Sequence, residues 1–204
     1  MDQQTAVEWK EDAFRKGHKA ATRQHILEVA SKCFRREGIS AAGISGIMGE
    51  AGLTNGAFYP HFGSKEELVR EAVTNALAEH QHRLEENLQA GLDLESVIRS
   101  YLSLAHREEG ACGCPSAALL PEIARQPALT RKAYVDGLRT FVSTLAALLP
   151  DTAPPAAGRR ATAIFALMVG TLQFARATPD VTHAEQILED GVKAALLLAR
   201  APSA

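Results

Sequence analysis

Apolar residues recur along this chain at the three- and four-residue spacing of helices that bury one side. Ile26, Ala30, Cys33 and Phe34 form such a stripe in a helix predicted from about Thr22 to Glu37, which Gly38 ends. Ile44, Ile47, Met48 and Ala51 give a second, shorter helix one apolar face, and Gly52 stops it. Leu53 follows as an apolar plug. Thr54 then offers a side-chain oxygen as the cap of the next helix. Pro60 cuts that helix short, because it lacks an amide hydrogen and its ring clashes with a carbonyl one turn back. Residues 54–59 are therefore predicted to project a helix N-terminus outward. Two short helices around a Gly-containing turn make a helix-turn-helix, whose second member is shaped to enter a major groove.

Ser64-Lys65-Glu66-Glu67 reads as a capping box, in which Ser64 accepts the Glu67 amide and Glu67 reaches back to Ser64. A long helix follows to about Gln89, with Leu68, Val69, Ala72, Val73, Ala76, Leu77 and Leu84 on its inner side and Gly91 at its end. Further helices are predicted at about 93–107, 116–126, 129–149, 157–176 and 181–200, separated by Gly- and Pro-rich punctuation. The chain has no convincing alternating strand pattern, so the fold class is all-α. The segment 150–157, with Pro150, Pro154 and Pro155, reads as a mobile surface loop. Residues 1–19 read as a flexible tail whose large apolar groups are Trp9 and Phe14. Its basic part, Arg15, Lys16, His18 and Lys19, could reach a minor groove as an arm, although disorder or a poorly fixed helical turn is the better account.

Thr22-Arg23, Ile26-Leu27, Phe34, Gly38, Ile47, Ala51-Gly52, Gly56, Phe58-Tyr59, His61-Phe62 and Ser64-Lys65-Glu66-Glu67-Leu68 match one pattern without gaps. Over about residues 20–70 the chain resembles the N-terminal domain of the TetR/AcrR family of transcriptional regulators. The resemblance implies an N-terminal three-helix DNA-binding domain with a helix-turn-helix, over 20–66, and a C-terminal helical ligand-binding and dimerisation domain, over 67–204. It also implies a homodimer joined through the last two helices, 157–176 and 181–200. Such a protein, most often a repressor, leaves a palindromic operator when a small molecule enters the C-terminal domain. Two positions depart from the pattern: Met48 stands where Ala is usual, and Gly43 where a Thr or Ser is usual. Ser45 or backbone amides would then supply the contact at the start of the first short helix.

Composition adds limits. Lys and Arg number 22 against 24 Asp and Glu, a formal charge of -2, which argues against bulk affinity for polyanions. The stretch from Arg15 to Arg36 nonetheless holds seven Lys and Arg against the single acid Glu28, a local surface where phosphates could dock. Cys33, Cys112 and Cys114 are an odd set that fits a reducing compartment. With no secretion signal and no apolar run long enough to span a bilayer, a cytoplasmic location is expected.

For DNA, the base-reading candidates are Thr54, Asn55 and Ala57. The family pattern adds Tyr59, His61 and Lys65 as phosphate contacts, and Gly56 lets the backbone come close. Phe58 and Phe62 read as core plugs. For the effector pocket, placed between the long helix and those at 93–176, the candidates are Tyr101, Phe141, Phe165, Met168, Gln173 and Phe174, whose character suits an apolar or amphipathic small molecule. Cys114, at a helix N-terminus before Pro115, would have a lowered pKa and stands as the alternative, a thiol sensor of electrophiles or oxidants. Glu79 and His82 have the Glu-x-x-His spacing of di-metal helical enzymes, but the second copy such a site requires is missing. These two residues and His80 read as solvated. The chain shows no phosphate loop, nucleophile elbow or paired-cysteine zinc pattern, so neither an enzyme, a cofactor nor a metal is expected.

Overall fold

The computed structural model describes the backbone of residues 3–150 and 154–201 and the side chains of 17–150 and 155–201. Every regular element among them is helical: α1 (Gln3–Glu37), α2 (Ile44–Glu50), a 3-10 turn (Asn55–Ala57), α3 (Lys65–Gln89), α4 (Leu94–Tyr101), α5 (Leu104–Glu108), α6 (Pro115–Ile123), α7 (Ala128–Ala146), α8 (Pro154–Ala177) and α9 (Val181–Arg200). Three predicted stops, Gly38, Gly52 and Gly91, adopt the positive φ that favours glycine, at 91°, 70° and 87°.

Three boundaries differ from the sequence reading. Helix α1 begins at Gln3 rather than near Thr22. No proline interrupts the intervening segment, which is rich in good helix formers. The side chains of Trp9, Phe14, Arg15 and Lys16, on which the tail and arm readings rest, lie outside the described residues. The helix expected over 93–107 is two, because Ser103 caps a new one by accepting the His106 amide at 3.2 Å. Helix α8 takes in Pro154 and Pro155, which an α-helix tolerates in its first turn. Residues 151–153 of the expected loop lie outside the described residues.

Two apolar cores share α3. One joins Ile26, Phe34, Ile47, Met48, Phe58 and Phe62 to Leu68, Val69, Val73 and Leu77. It extends to Leu119 and Ile123 of α6 and Tyr134 of α7, so the helix-turn-helix is seated on the rest of the chain. The other gathers Leu84, Val97, Ile98, Tyr101, Phe141, Leu145 and the inner faces of α8 and α9. All seven residues predicted for the inner side of α3 are buried. Helices α8 and α9 pack closely enough that a Cβ on Gly191 would collide with Thr171. They leave Phe174, Val181 and Leu197 exposed on their outer side.

Candidate nucleic-acid interface and effector cavity

The first short helix is pinned to α1 at its far end. Arg36 Nη2 lies 2.7 Å from Glu50 Oε2, and His25 Nε2 lies 3.1 Å from the Ala51 carbonyl. After it the chain reverses through Gly52, and the Leu53 amide donates to the Met48 carbonyl at 2.8 Å. The second element is shorter than predicted: a three-residue 3-10 turn continued by turns, with the His61 and Phe62 amides donating to the Phe58 carbonyl at 2.9 and 3.0 Å. Pro60 accounts for this, since it cannot donate and disfavours helical geometry in the residue before it. Thr54 occupies the cap position, but its side chain makes no capping hydrogen bond, which corrects the capping role given to it. Its carbonyl instead accepts the Ala57 amide at 3.0 Å.

Phe58 and Phe62 anchor this element from beneath, fully buried with ring centroids 5.6 Å apart. Ser45, Thr54, Asn55, Gly56 and Tyr59 are exposed, Tyr59 to 70 %, while Ala57, His61 and Lys65 are half-buried. Asn55 Nδ2 donates to Ser45 Oγ at 3.3 Å and ties the two short elements together. That bond uses one amide hydrogen and leaves the second, with Oδ1, for another partner. Ser64 caps α3 by accepting the Glu67 amide at 3.1 Å. Glu67 reaches back to the Gly63 amide at 2.8 Å, one residue earlier than the box predicts. Arg23 lies over the Phe62 ring at 4.6 Å, donates to the His61 carbonyl and pairs with Glu71 at 2.5 Å. Burial, and then the neighbouring Lys19 and Arg23, lower the pKa of His61.

A cavity of about 250 Å³ opens between α3, α4, α5, α7 and α8. Leu84, Val97, Tyr101, Phe141 and Met168 supply its apolar wall, and Arg83, Asn87, Ser100, Ser103 and Glu109 its polar side. Ala105, His80 and His106 complete the lining, and neither histidine was foreseen there. His80, read as solvated, stacks on Phe141 at 4.6 Å, and burial with Arg83 and Arg35 nearby pushes its pKa down to about 4. No signal on α3 alone could have shown this, because the burial comes from α7. His106 Nδ1 lies 2.7 Å from the Tyr101 carbonyl, and its Nε2 accepts the Cys114 amide at 3.0 Å. A carbonyl on one side and an N–H on the other fix a neutral ring protonated on Nδ1, consistent with the pKa that burial lowers.

Of the predicted pocket residues, Tyr101, Phe141 and Met168 line the cavity. Phe165 stands behind them, 4.8 Å from Phe141 and 6.0 Å from Tyr101, as part of the core. The other three are corrected. Phe174 is 72 % exposed on the outer side of α8. Gln173 donates to the Ala117 carbonyl. Pro121 sits four residues later in α6 and has no amide to fill that acceptor. Cys114 is fully buried, and desolvation raises its pKa, overriding the helix end that was expected to lower it. The exposed thiol is Cys112. Glu79 and His82 do not converge on a metal: Glu79 pairs with Arg35 at 3.4 Å and His82 with Glu86 at 3.3 Å. Cys33, Glu37 and Glu50 lie close together, but the Arg36 guanidinium occupies their midst, 2.6 Å from Glu37 and 2.7 Å from Glu50.

An exposed helix-turn-helix carried on a helical domain with its own cavity defines a DNA-binding regulator of two-part build. Residues 26–72 match the sequence profile of bacterial regulatory proteins of the tetR family. The uncharacterised regulator TtgW of Pseudomonas putida is 34% identical over 110 residues, 52% of this chain and 72% of that protein. The chain belongs to the TetR family. KstR2 of Rhodococcus jostii, a transcriptional repressor, is 26% identical over 122 residues, 60% of each chain. Across such relatives the matched stretch spans from 23% to 72% of their length. A crystal structure of a TetR regulator from Chloroflexus aurantiacus superposes with a TM-score of 0.67 at 25% identity, covering 90% of this chain and 96% of that one.

Proposed function

We propose that the chain acts in the cytoplasm as a homodimeric repressor, without enzymatic activity, that leaves a palindromic operator when a small molecule fills the cavity. The observation that carries this is helix α3: it starts at Lys65 beside the exposed turn and lines the cavity from His80 to Asn87. One rigid element thus touches both sites. The naming of the relative KstR2 as a repressor supports the direction of control. The exposed Phe174, Val181 and Leu197 suit pairing of α8 and α9 with a second copy.

In this scheme Thr54, Asn55 and Ala57 meet base edges, with Gly56 letting the backbone approach, while Tyr59, His61, Lys65 and Ser45 meet phosphates. Two copies set these turns roughly 34 Å apart, one turn of duplex. The ligand must bind the DNA-incompetent arrangement more tightly, and a coupling of about 1–3 kcal/mol would lower operator affinity about 5- to 150-fold.

Selection of bound genomic fragments supplies an operator, and fluorescence anisotropy then measures affinity with and without members of a small-molecule library. Lys65→Ala should weaken binding to every duplex and reduce the salt slope by about 1, whereas Asn55→Ala should relax preference at one base pair. Two mutants that bind the operator as the parent does would sink the docking scheme. A library whose binders all leave operator affinity untouched would sink the effector role.

A further inference from the structure

We propose that Lys19 of α1 is a further contact to the DNA backbone, acting beside His61, so that the docking surface continues from the exposed turn onto the first helix. This rests on the exposed turn being the DNA-binding element. Charge along the chain does not single out Lys19, because the stretch from Arg15 to Arg36 holds seven Lys and Arg. Their partners do. Arg23 pairs with Glu71 at 2.5 Å and lies 4.0 Å from Glu67. Arg35, its side chain only 1 % exposed, pairs with Glu79 at 3.4 Å. Arg36 pairs with Glu37 and Glu50 at 2.6 and 2.7 Å. Each of these guanidiniums already faces a carboxylate, so it presents little net charge to a phosphate. Among the described residues of this stretch that leaves Lys19 and Lys32, both exposed and without an ion pair.

Position separates the two lysines. Lys19 stands close enough to His61 that, after burial, it helps to lower the pKa of that ring. Lys32 lies thirteen residues further along α1, roughly 20 Å at about 1.5 Å per residue, beside the cleft that holds Glu79 and Cys112. His61 Nδ1 is enclosed and makes no hydrogen bond, which leaves Nε2 to meet a partner. An anion set near both Lys19 and His61 relieves the repulsion between them and favours the charge on each. Helix α1 runs unbroken through Lys19, so the contact comes from a fixed helix rather than from a loose arm in a minor groove. A contact to phosphate positions the protein and carries no base preference.

Anisotropy titrations of the full chain test this on the operator recovered from genomic fragments and on an unrelated duplex of equal length, from about 0.05 to 0.3 M salt. Lys19→Ala should weaken binding to both duplexes alike, roughly 3- to 10-fold near 0.1 M salt, and reduce the salt slope by about 1. Lys19→Arg should keep the parent slope, and losing it would overturn the contact. Lys32→Ala removes the same charge from the same helix about two screening lengths away, and should bind within about twofold of the parent. Equal effects of Lys19→Ala and Lys32→Ala would reduce the result to net charge and overturn the contact. So would a loss confined to the operator, the mark of a contact to bases or to a minor groove. Lys65→Ala, measured alongside, distinguishes the two levels. A slope lost at Lys65 but kept at Lys19 refutes the α1 contact and leaves the docking turn standing. A slope lost at Lys19 but kept at Lys65 leaves the α1 contact standing and refutes Lys65 as a phosphate contact. Slopes kept by both variants refute both.

Discussion

His80 offers the sharpest physical test of this structure. In the unfolded chain its imidazole has an ordinary pKa near 6.5, whereas in the folded protein it is pushed down to about 4 by burial and by Arg83 and Arg35. A histidine with a depressed folded pKa makes the unfolded state bind more protons between those two values. Its contribution is therefore present above pH 6.5 and is lost as pH falls from there toward 4. At about 1.4 kcal/mol per pK unit, linkage gives a loss of about 2 kcal/mol at this position between pH 7.5 and pH 5, where the folded ring is still mostly neutral. His80→Phe removes the titration, keeps the stacking on Phe141 and removes a buried unpaired nitrogen, so it should raise stability at pH 7.5 by about 1 kcal/mol. Urea unfolding of parent and variant at fixed protein concentration, at pH 7.5 and 5, isolates the effect, because His106 and the carboxylates titrate in both. The variant should lose about 2 kcal/mol less than the parent. Parallel losses would mean that the ring stays accessible to protons, and the account of its burial would be wrong.

Three further outcomes follow from the geometry. Phe174→Glu and Leu197→Glu, on the exposed side of α8 and α9, should each weaken self-association by about 2 kcal/mol, roughly 30-fold, in sedimentation equilibrium; unchanged association constants would place the dimer elsewhere. Of the three thiols, exposed Cys112 should react with a disulfide reagent about 100-fold or more faster than Cys33, pushed up to about 11, and buried Cys114; fast labelling of Cys114 would revive a thiol sensor. Gly113→Ala should cost about 1–3 kcal/mol in urea, because its Cβ would fall 2.6 Å from the Glu109 carbonyl oxygen, whereas Gly110→Ala, with open space around it, should cost much less. Equal midpoints for the two would contradict the packing of this loop.

The parts legible in the sequence are those governed by neighbours a few residues away. The stops at Gly38, Gly52 and Gly91, the cap at Ser64 and the inner face of α3 follow from local sterics and helical period alone. What was missed depends on contacts across the chain. His80 and Phe141 are 61 positions apart in sequence but stack as rings. Gln173, a pocket candidate from the sequence, instead donates to the Ala117 carbonyl that Pro121, 52 positions earlier in the chain, leaves open. Cys114 shows a conflict of two local effects. The helix end favours a thiolate, complete burial disfavours it, and the sequence does not reveal how deep the thiol lies. At Thr54 the position was right and the bond was not, since a 3-10 turn satisfies the Ala57 amide with a backbone carbonyl.

A long helix that touches both sites does not by itself transmit a movement, because a rod can roll in place while its ends stay put. The segment from α5 through the loop to α6 supplies the missing constraint. Arg35 of α1 donates to the Ala111 carbonyl at 2.7 Å, Arg83 of α3 to the Cys112 carbonyl, and Arg176 of α8 to the His106 and Glu109 carbonyls at 3.0 and 3.1 Å. Three helices thus grip one segment by its backbone, and the acceptors depend on its shape rather than its side chains. His106 and Glu109, on the same segment, also line the cavity. The part-buried bonds from Arg35 to the Ala111 carbonyl and from Arg176 to the His106 carbonyl are costly to break, about 1 kcal/mol or more each, so a guest that displaces His106 must either break such bonds or carry the arginines with it. Arg35 has little freedom to choose the first course, since its side chain is only 1 % exposed and water cannot readily replace the lost partner. Its movement is the movement of α1, which shares a core with Phe58 and Phe62 beneath the exposed turn proposed to meet DNA.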